Sequence, residues 1–163
     1  MKAAVFEEAG RPLVVGDVPD PSPTESELVL KVKCCGICGT DLHASAVPGG
    51  LPVGCVMGHE FSGEIVEVGN RAVGGFSLGE RVACVPAKGC GACAACLSGD
   101  VMQCAGLDIL GLGQMPGAFA EYVRVGSQEA LRLPEHIDWN SGALVEPLAV
   151  GLHAVKVAQV QAG

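Results

Sequence analysis

The sequence predicts a mainly β domain of barrel or sandwich type that ends in a helix, and three observations carry that expectation. First, 24 glycines and 10 prolines punctuate a chain that is 49% hydrophobic, the composition of short strands joined by frequent turns. Second, residues 27 to 34 alternate: Leu28, Leu30, Val32 and Cys34 share one face, and Glu27, Val29, Lys31 and Lys33 share the other, as in a half-buried strand. Third, Ser141 to Val160 abandons that pattern for Ala, Leu and Val at helical spacing.

In chain order, comparable runs bounded by Gly and Pro turn signals predict strands over Ala3–Phe6, Leu13–Val18, Gly63–Val68, Arg81–Val85 and Phe119–Val125, with the alternating 27–34 segment between the second and third. Pro147 interrupts the helical tail. A proline disfavours helical geometry in the residue before it, so the helix is expected to start near Pro147 with Glu146 just outside it. No fixed-period repeat or low-complexity linker divides the chain, and 163 residues suffice for one domain with a core that needs no disulfides.

Charge and composition exclude several classes. A net charge of -8, one Trp, one Tyr and four Phe leave neither a basic footprint nor stacking aromatics for nucleic acid. Acidic Glu7 and Glu8 interrupt the start before an apolar run of signal-peptide length develops, and no later run is long enough to span a bilayer. A cytoplasmic protein without a membrane partner is expected. In a reducing compartment, nine cysteines point to metal binding or catalysis rather than a disulfide scaffold.

Cys90, Cys93, Cys96 and Cys104 follow C-x2-C-x2-C-x7-C in a segment of Gly, Ala and polar residues that has little with which to build a core. Four thiolates close a tetrahedral zinc site and leave no position open, which makes the site structural. Their excess negative charge calls for backbone N–H donors around the sulfurs, which the nearby glycines would let approach. An iron–sulfur cluster or two disulfides are the competing uses of the same spacing.

A second set is more dispersed. Cys38 follows the 27–34 strand in Gly36-Ile37-Cys38-Gly39-Thr40-Asp41-Leu42-His43, His59 and Glu60 lie in Gly58-His59-Glu60, and Glu146 precedes Pro147. A Cys, a His and a carboxylate give three ligands and one open position, the catalytic zinc pattern. Adjacent residues of a regular strand face opposite ways, so binding by both His59 and Glu60 requires irregular backbone, which Gly58 permits. Thr40 could accept a proton near Cys38 and His43 could pass it to solvent, although a helix cap and a solvated loop residue are their plain alternatives.

Gly58-His59-Glu60-Phe61-Ser62-Gly63, with Gly69 and Ala72 beyond it, resembles the zinc signature of medium-chain alcohol dehydrogenases. The Cys38–His43 segment, the four-cysteine run, Gly117-Ala118-Phe119-Ala120-Glu121-Tyr122 and Glu146-Pro147-Leu148-Ala149-Val150 stand in that family's order. The resemblance is strongest to the polyol, butanediol and threonine dehydrogenase branches. It implies a GroES-like β-barrel with few helices over residues 1–146, a structural zinc lobe at 88–106, and a helix over 147–163 leading to a Rossmann domain absent from this chain. It implies catalytic zinc on Cys38 and His59 with Glu60 or Glu146 as the third ligand, structural zinc on Cys90, Cys93, Cys96 and Cys104, and a proton relay through Thr40 and His43. A small alcohol or polyol as substrate, NAD or NADP as cofactor and a homo-oligomer follow from the same likeness.

Gly111-Leu112-Gly113 lacks the third glycine of a dinucleotide fingerprint, because Pro116 stands there, so no residue is assigned to cofactor binding and the chain alone is expected to be inactive. Cys34, Cys35, Cys55 and Cys84 are expected as small buried hydrophobes, His136 as a solvated turn residue and His153 as a hydrogen-bonded core residue. The alternative from another class is a non-enzymatic zinc-binding or interaction module, against which the coexistence of Cys38, Thr40, His43, His59, Glu60 and Glu146 counts. Leu148, Val150, Leu152, Val155 and Val157 of the last helix are expected to be partly exposed and to favour self-association.

Overall fold

A computed structural model describes residues 1–161; Ala162 and Gly163, the end of the expected 147–163 segment, lie outside the described residues. The elements run β1 (Lys2–Val5), β2 (Val14–Asp17), β3 (Glu27–Cys35), α1 (Gly39–Ala46), β4 (Phe61–Val68), β5 (Arg81–Cys84), β6 (Ala87–Lys88), α2 (Ala94–Leu97), a 3-10 turn at Val101–Gln103, β7 (Asp108–Ile109), β8 (Tyr122–Gly126), β9 (Ala130–Arg132), α3 (Trp139–Ala143) and α4 (Val145–Val157). The six expected strands are present, with ends shifted by three residues at most. Two short strand pieces around the cysteine run, β9 and the helices α1 to α3 were not foreseen.

Five strands form one antiparallel sheet in the order β8-β3-β4-β5-β9, and β1-β2 and β6-β7 make separate pairs. Single bridges from Ala3 to Ala120 and from Val5 to Val56 tie β1 to the loops before β8 and β4. Leu28 and Leu30 of β3 point into a core with Phe61, Ile65, Val82, Val123 and Val125. The half-buried pattern expected of this strand holds only in its second part, because Glu27 and Val29 are buried as well. Glu27 is buried as an ion-paired group: its carboxylate meets Lys88 Nζ at 2.7 Å and Arg124 Nε at 3.3 Å. The pair with Lys88 ties the root of the cysteine lobe to the start of β3.

Strand register brings the distant motifs together. The β3–β4 pairing shifts between Val32 and Cys34, after which Cys34 faces Ser62 and Cys35 faces Phe61. The Gly36 N–H then donates to the Glu60 carbonyl at 2.7 Å. The residues that follow β3 and those that precede β4 are thereby held side by side, which places the Cys38 loop against His59 and Glu60.

Helix α3 is seated on the sheet by polar contacts. Asp138 caps it, its Oδ1 accepting from the Ser141 N–H at 2.7 Å. The buried Ser62 hydroxyl donates to the Trp139 carbonyl at 2.6 Å. The Arg81 guanidinium lies 4.2 Å from the Trp139 ring centre and donates to the carbonyls of Glu135 and Ile137. Leu144 links α3 directly to α4, and this corrects the expected helix start. Glu146 is already helical, at the second position of α4, and Pro147 is third. A first-turn proline costs little because its missing N–H would have no intrahelical acceptor there.

The five apolar residues named for the last helix are all exposed, from Val155 at 49% to Val157 at 69%. Cys55 and Cys84 are buried as expected, whereas Cys34 and Cys35 are only half-buried. His136 is exposed in a turn. His153 is exposed too and does not serve as a core hydrogen-bonding group: it stands at the open edge of α4, with no protein layer over it.

Candidate metal centres

Cys38 caps α1. Its Sγ accepts from the Thr40 N–H at 3.5 Å, and its own N–H donates to Asp41 Oδ2 at 2.9 Å, so thiol and carboxylate form a reciprocal capping box. The other oxygen of Asp41 lies 3.4 Å from His59 Nδ1; both groups are buried and neither atom has another partner. This contact is long for a hydrogen bond. The Asp41 carboxylate pushes the His59 imidazole up to about 9, against the opposing effect of burial. With Nδ1 turned to Asp41, Nε2 is the nitrogen left for a metal.

The donor atoms of Cys38, His59 and Glu60 lie within 4.8 Å of one another. Gly58, at φ +93°, supplies the irregular backbone that lets His59 and Glu60 turn to the same side, as expected from their adjacency. Glu146 stands outside this close set but near it. Burial raises its carboxyl above the usual range, while His59 lowers it and Glu60 raises it. Of the two carboxylates proposed from the sequence, Glu60 is the one brought among the donors, and Glu146 faces them from α4. Thr40 keeps its hydroxyl 3.5 Å from Cys38 Sγ, and His43 lies exposed about one turn further along α1.

His59 and Glu146 both line a cleft of about 580 Å³, bounded by the end of β5, the cysteine lobe, β9 and α4. Its walls include Val85, Ile109, Leu131 and Val150, with His153 also on the lining.

The four cysteines of the lobe form the second cluster, their sulfurs also within 4.8 Å of one another. The N–H groups of Cys90 and Gly106 each donate to Cys104 Sγ at 3.3 Å. A Cβ at Gly89 would fall 2.6 Å from Cys96 Sγ, so only glycine lets the backbone pass so close to that sulfur. Backbone N–H groups at Ala92 and Cys93 pull the Cys90 thiol down to about 6. At Cys96 the Gly91 N–H pulls the same way but is outweighed by burial and the neighbouring sulfurs, and the thiol is pushed up to about 12. Four sulfurs this close together, with backbone N–H groups turned to them, fit a divalent thiophilic ion. None of the nine cysteines is in a disulfide.

One residue escaped the sequence reading: Asp41. Its spacing from Cys38 is that of a capping box, but cysteine is not among the usual capping residues, so the pattern did not announce itself.

The family model for the "Alcohol dehydrogenase GroES-like domain" matches residues 24–135. Sorbitol dehydrogenase of Halalkalibacterium halodurans is 40% identical over 168 residues, which cover 100% of this chain and 48% of that protein. The crystal structure of galactitol-1-phosphate dehydrogenase from Escherichia coli matches with a TM-score of 0.88 at 37% identity, over 98% of this chain and 45% of that one. That of 2R,3R-butanediol dehydrogenase from Bacillus subtilis matches with a TM-score of 0.84 at 34% identity, over 99% and 48%. The chain spans about half the length of the curated relatives it matches.

Proposed function

The chain belongs to the alcohol dehydrogenase GroES-like family, and on that footing we propose that it is the zinc-bearing catalytic part of an oxidoreductase that interconverts a secondary alcohol or polyol and its carbonyl with NAD or NADP. The observation that carries this reading is the gathering of one thiol, one imidazole and one carboxylate within 4.8 Å, beside a cleft whose wall His59 and Glu146 share.

Cys38, His59 and Glu60 would hold a catalytic zinc with one position open, and Cys90, Cys93, Cys96 and Cys104 a closed structural one. A zinc ion with an open position acts as a Lewis acid on a hydroxyl and makes alcohol oxidation feasible near neutral pH. The remaining roles fall to the chain's own groups. Asp41 fixes the ring of His59 and keeps Nε2 towards the donor cluster. Thr40 accepts the released proton at its hydroxyl, and His43, exposed on the same helix, delivers it to solvent. Glu146, with its carboxyl raised by burial, holds or yields a proton at the cleft wall.

Residues 1–146 form the catalytic unit in this reading, with 88–106 as the structural lobe and 147–163 leading to a nucleotide-binding domain that carries the cofactor. The uncovered apolar residues of α4 support self-association. Among the described residues, no helix is long and apolar enough to cross a membrane, and nine free thiols suit a reducing cytoplasm.

The test is metal content and replacement. Purified under reducing conditions, the chain is expected to hold about two zinc ions, one of them removed by gentle chelation. Cobalt put into the labile site should show a thiolate charge-transfer band that disappears in Cys38→Ser. A labile site indifferent to Cys38→Ser, or a four-cysteine lobe that takes no metal, would overturn the reading.

A further inference from the structure

Resting on that reading, we infer that the loop between β7 and β8 positions the labile-metal ligands. Gly117 and Phe119, neither of which offers a donor atom, act as positioning residues that set how tightly His59 and Glu60 hold their ion. No residue of Gly117–Tyr122 belongs to either donor cluster. Its first three residues nevertheless run beside Val56, Met57 and Gly58, which lead directly into His59, and all three carbonyls of that run are taken. The Gly117 N–H donates to the Val56 carbonyl at 2.7 Å, the Ala118 N–H to that of Gly58 at 2.8 Å, and the Phe119 N–H to that of Met57 at 2.8 Å. The bond to Gly58 bears most directly on the ligands. Its carbonyl shares a planar peptide unit with the His59 nitrogen, so fixing it fixes the direction in which His59 and Glu60 leave the turn.

Steric contacts close the clamp from the same loop. Gly58 turns at φ +93°, and a Cβ on it would fall 2.5 Å from Cδ1 of the Phe119 ring. That ring is itself packed against Phe6, Leu51, Cys55 and Met57. At Gly111 a Cβ would stand 2.9 Å from the Gly58 nitrogen, and the Gly111 carbonyl accepts from the buried Cys55 thiol at 3.7 Å. Gly117 makes the tightest approach: a Cβ there would collide with the Met57 carbonyl oxygen and lie 2.5 Å from that of Gly58. Its φ is not in the left-handed region, so the close approach alone requires glycine at 117. The obstacle is backbone, which has no rotamer to escape into. A methyl group at 117 must push the 57–58 peptide aside, and His59 and Glu60 move with it.

The experiment follows the labile site of the full 163-residue chain, with zinc in the lobe, by chelator competition and by the visible absorption of cobalt. Gly117→Ala should weaken labile binding about tenfold or more and shift the cobalt bands while the lobe keeps its zinc. Gly113→Ala, in the same loop, should stay within about twofold of the parent, because the one close neighbour of a Cβ there is the Asp108 carboxylate, a side chain that can swing away. Loosening of the fold alone would lower the Tm and leave the affinity and bands of the folded chain at the parent's values. Where Gly117→Ala does not fold, Phe119→Leu decides: it keeps the backbone bonds, removes the ring over Gly58, and should move affinity and bands in the same direction. Parent affinity and parent bands in the deciding variant overturn the inference, as does an equal loss in Gly113→Ala. A labile ion that ignores Cys38→Ser removes the metal assignment and the inference with it. An ion that Cys38→Ser releases and the loop variants hold as tightly as the parent removes the clamp alone.

Discussion

Glu27→Gln isolates the charge of a buried carboxylate whose surroundings the structure specifies in full. Burial alone would raise this carboxyl, but hydrogen bonds from Lys88 and from Thr24, with the charge of Lys88, hold it at about 2 against an ordinary 4.5. The difference between 4.5 and about 2, at about 1.4 kcal/mol for each step of one, sets an upper bound near 3.5 kcal/mol. Lys88 and Arg124 are 35% and 42% exposed, so solvent screening brings the expected contribution to about 2 kcal/mol. The folded value is depressed, so the stabilisation is complete above about 4.5 and disappears as pH falls from there towards about 2. Urea unfolding of parent and Glu27→Gln from pH 7 down to pH 3 should show a gap of about 2 kcal/mol at pH 7 that narrows below pH 4.5. A variant as stable as the parent at pH 7, or a gap that is constant with pH, would refute the account.

Asp41→Asn should lower affinity at the labile site by about 10- to 100-fold, because the His59 ring loses the charge that orients it; chelator competition measures this, and unchanged affinity removes Asp41 from the site. Cys96→Ser and Cys38→Ser should part company in thermal unfolding. The first should lower the Tm by on the order of 10 °C, since the lobe has metal in place of a core. The second should leave the Tm within about 2 °C, because serine is itself a good cap for α1, while emptying the labile site. Equal losses in the two variants would contradict the division of roles.

The legible and illegible parts of this chain differ in how local their causes are. The strand at 27–34 and the four-cysteine spacing are each properties of one segment, and the strand and the cluster of four sulfurs are both present, although the strand alternates in burial only in its second part. Residue type made Cys38, His59 and a carboxylate only a weak candidate set, and the resemblance strengthened it, since what unites them is the shifted β3–β4 register, a non-local pairing. Glu146 was misplaced because a proline was taken to stand at the first helical position, whereas the whole first turn tolerates one. Strands as short as β6, β7 and β9 carry too few residues to show a period. Burial of Val29 and exposure of His153 depend on what packs over them, which neither segment encodes.

The seat of α3 has an optical consequence. Trp139 is the sole tryptophan of the chain, and its indole rests against the Arg81 guanidinium while its carbonyl is tied to Ser62, three residues beyond His59. Intrinsic tryptophan emission therefore originates from one junction, where the sheet meets α3, the helix that leads into the one carrying Glu146. An emission change on loading the labile ion would record movement at that junction, and a silent one would mean that it is rigid before the ion arrives. The protein carries its own fluorophore at the boundary between scaffold and chemistry, with no label to attach.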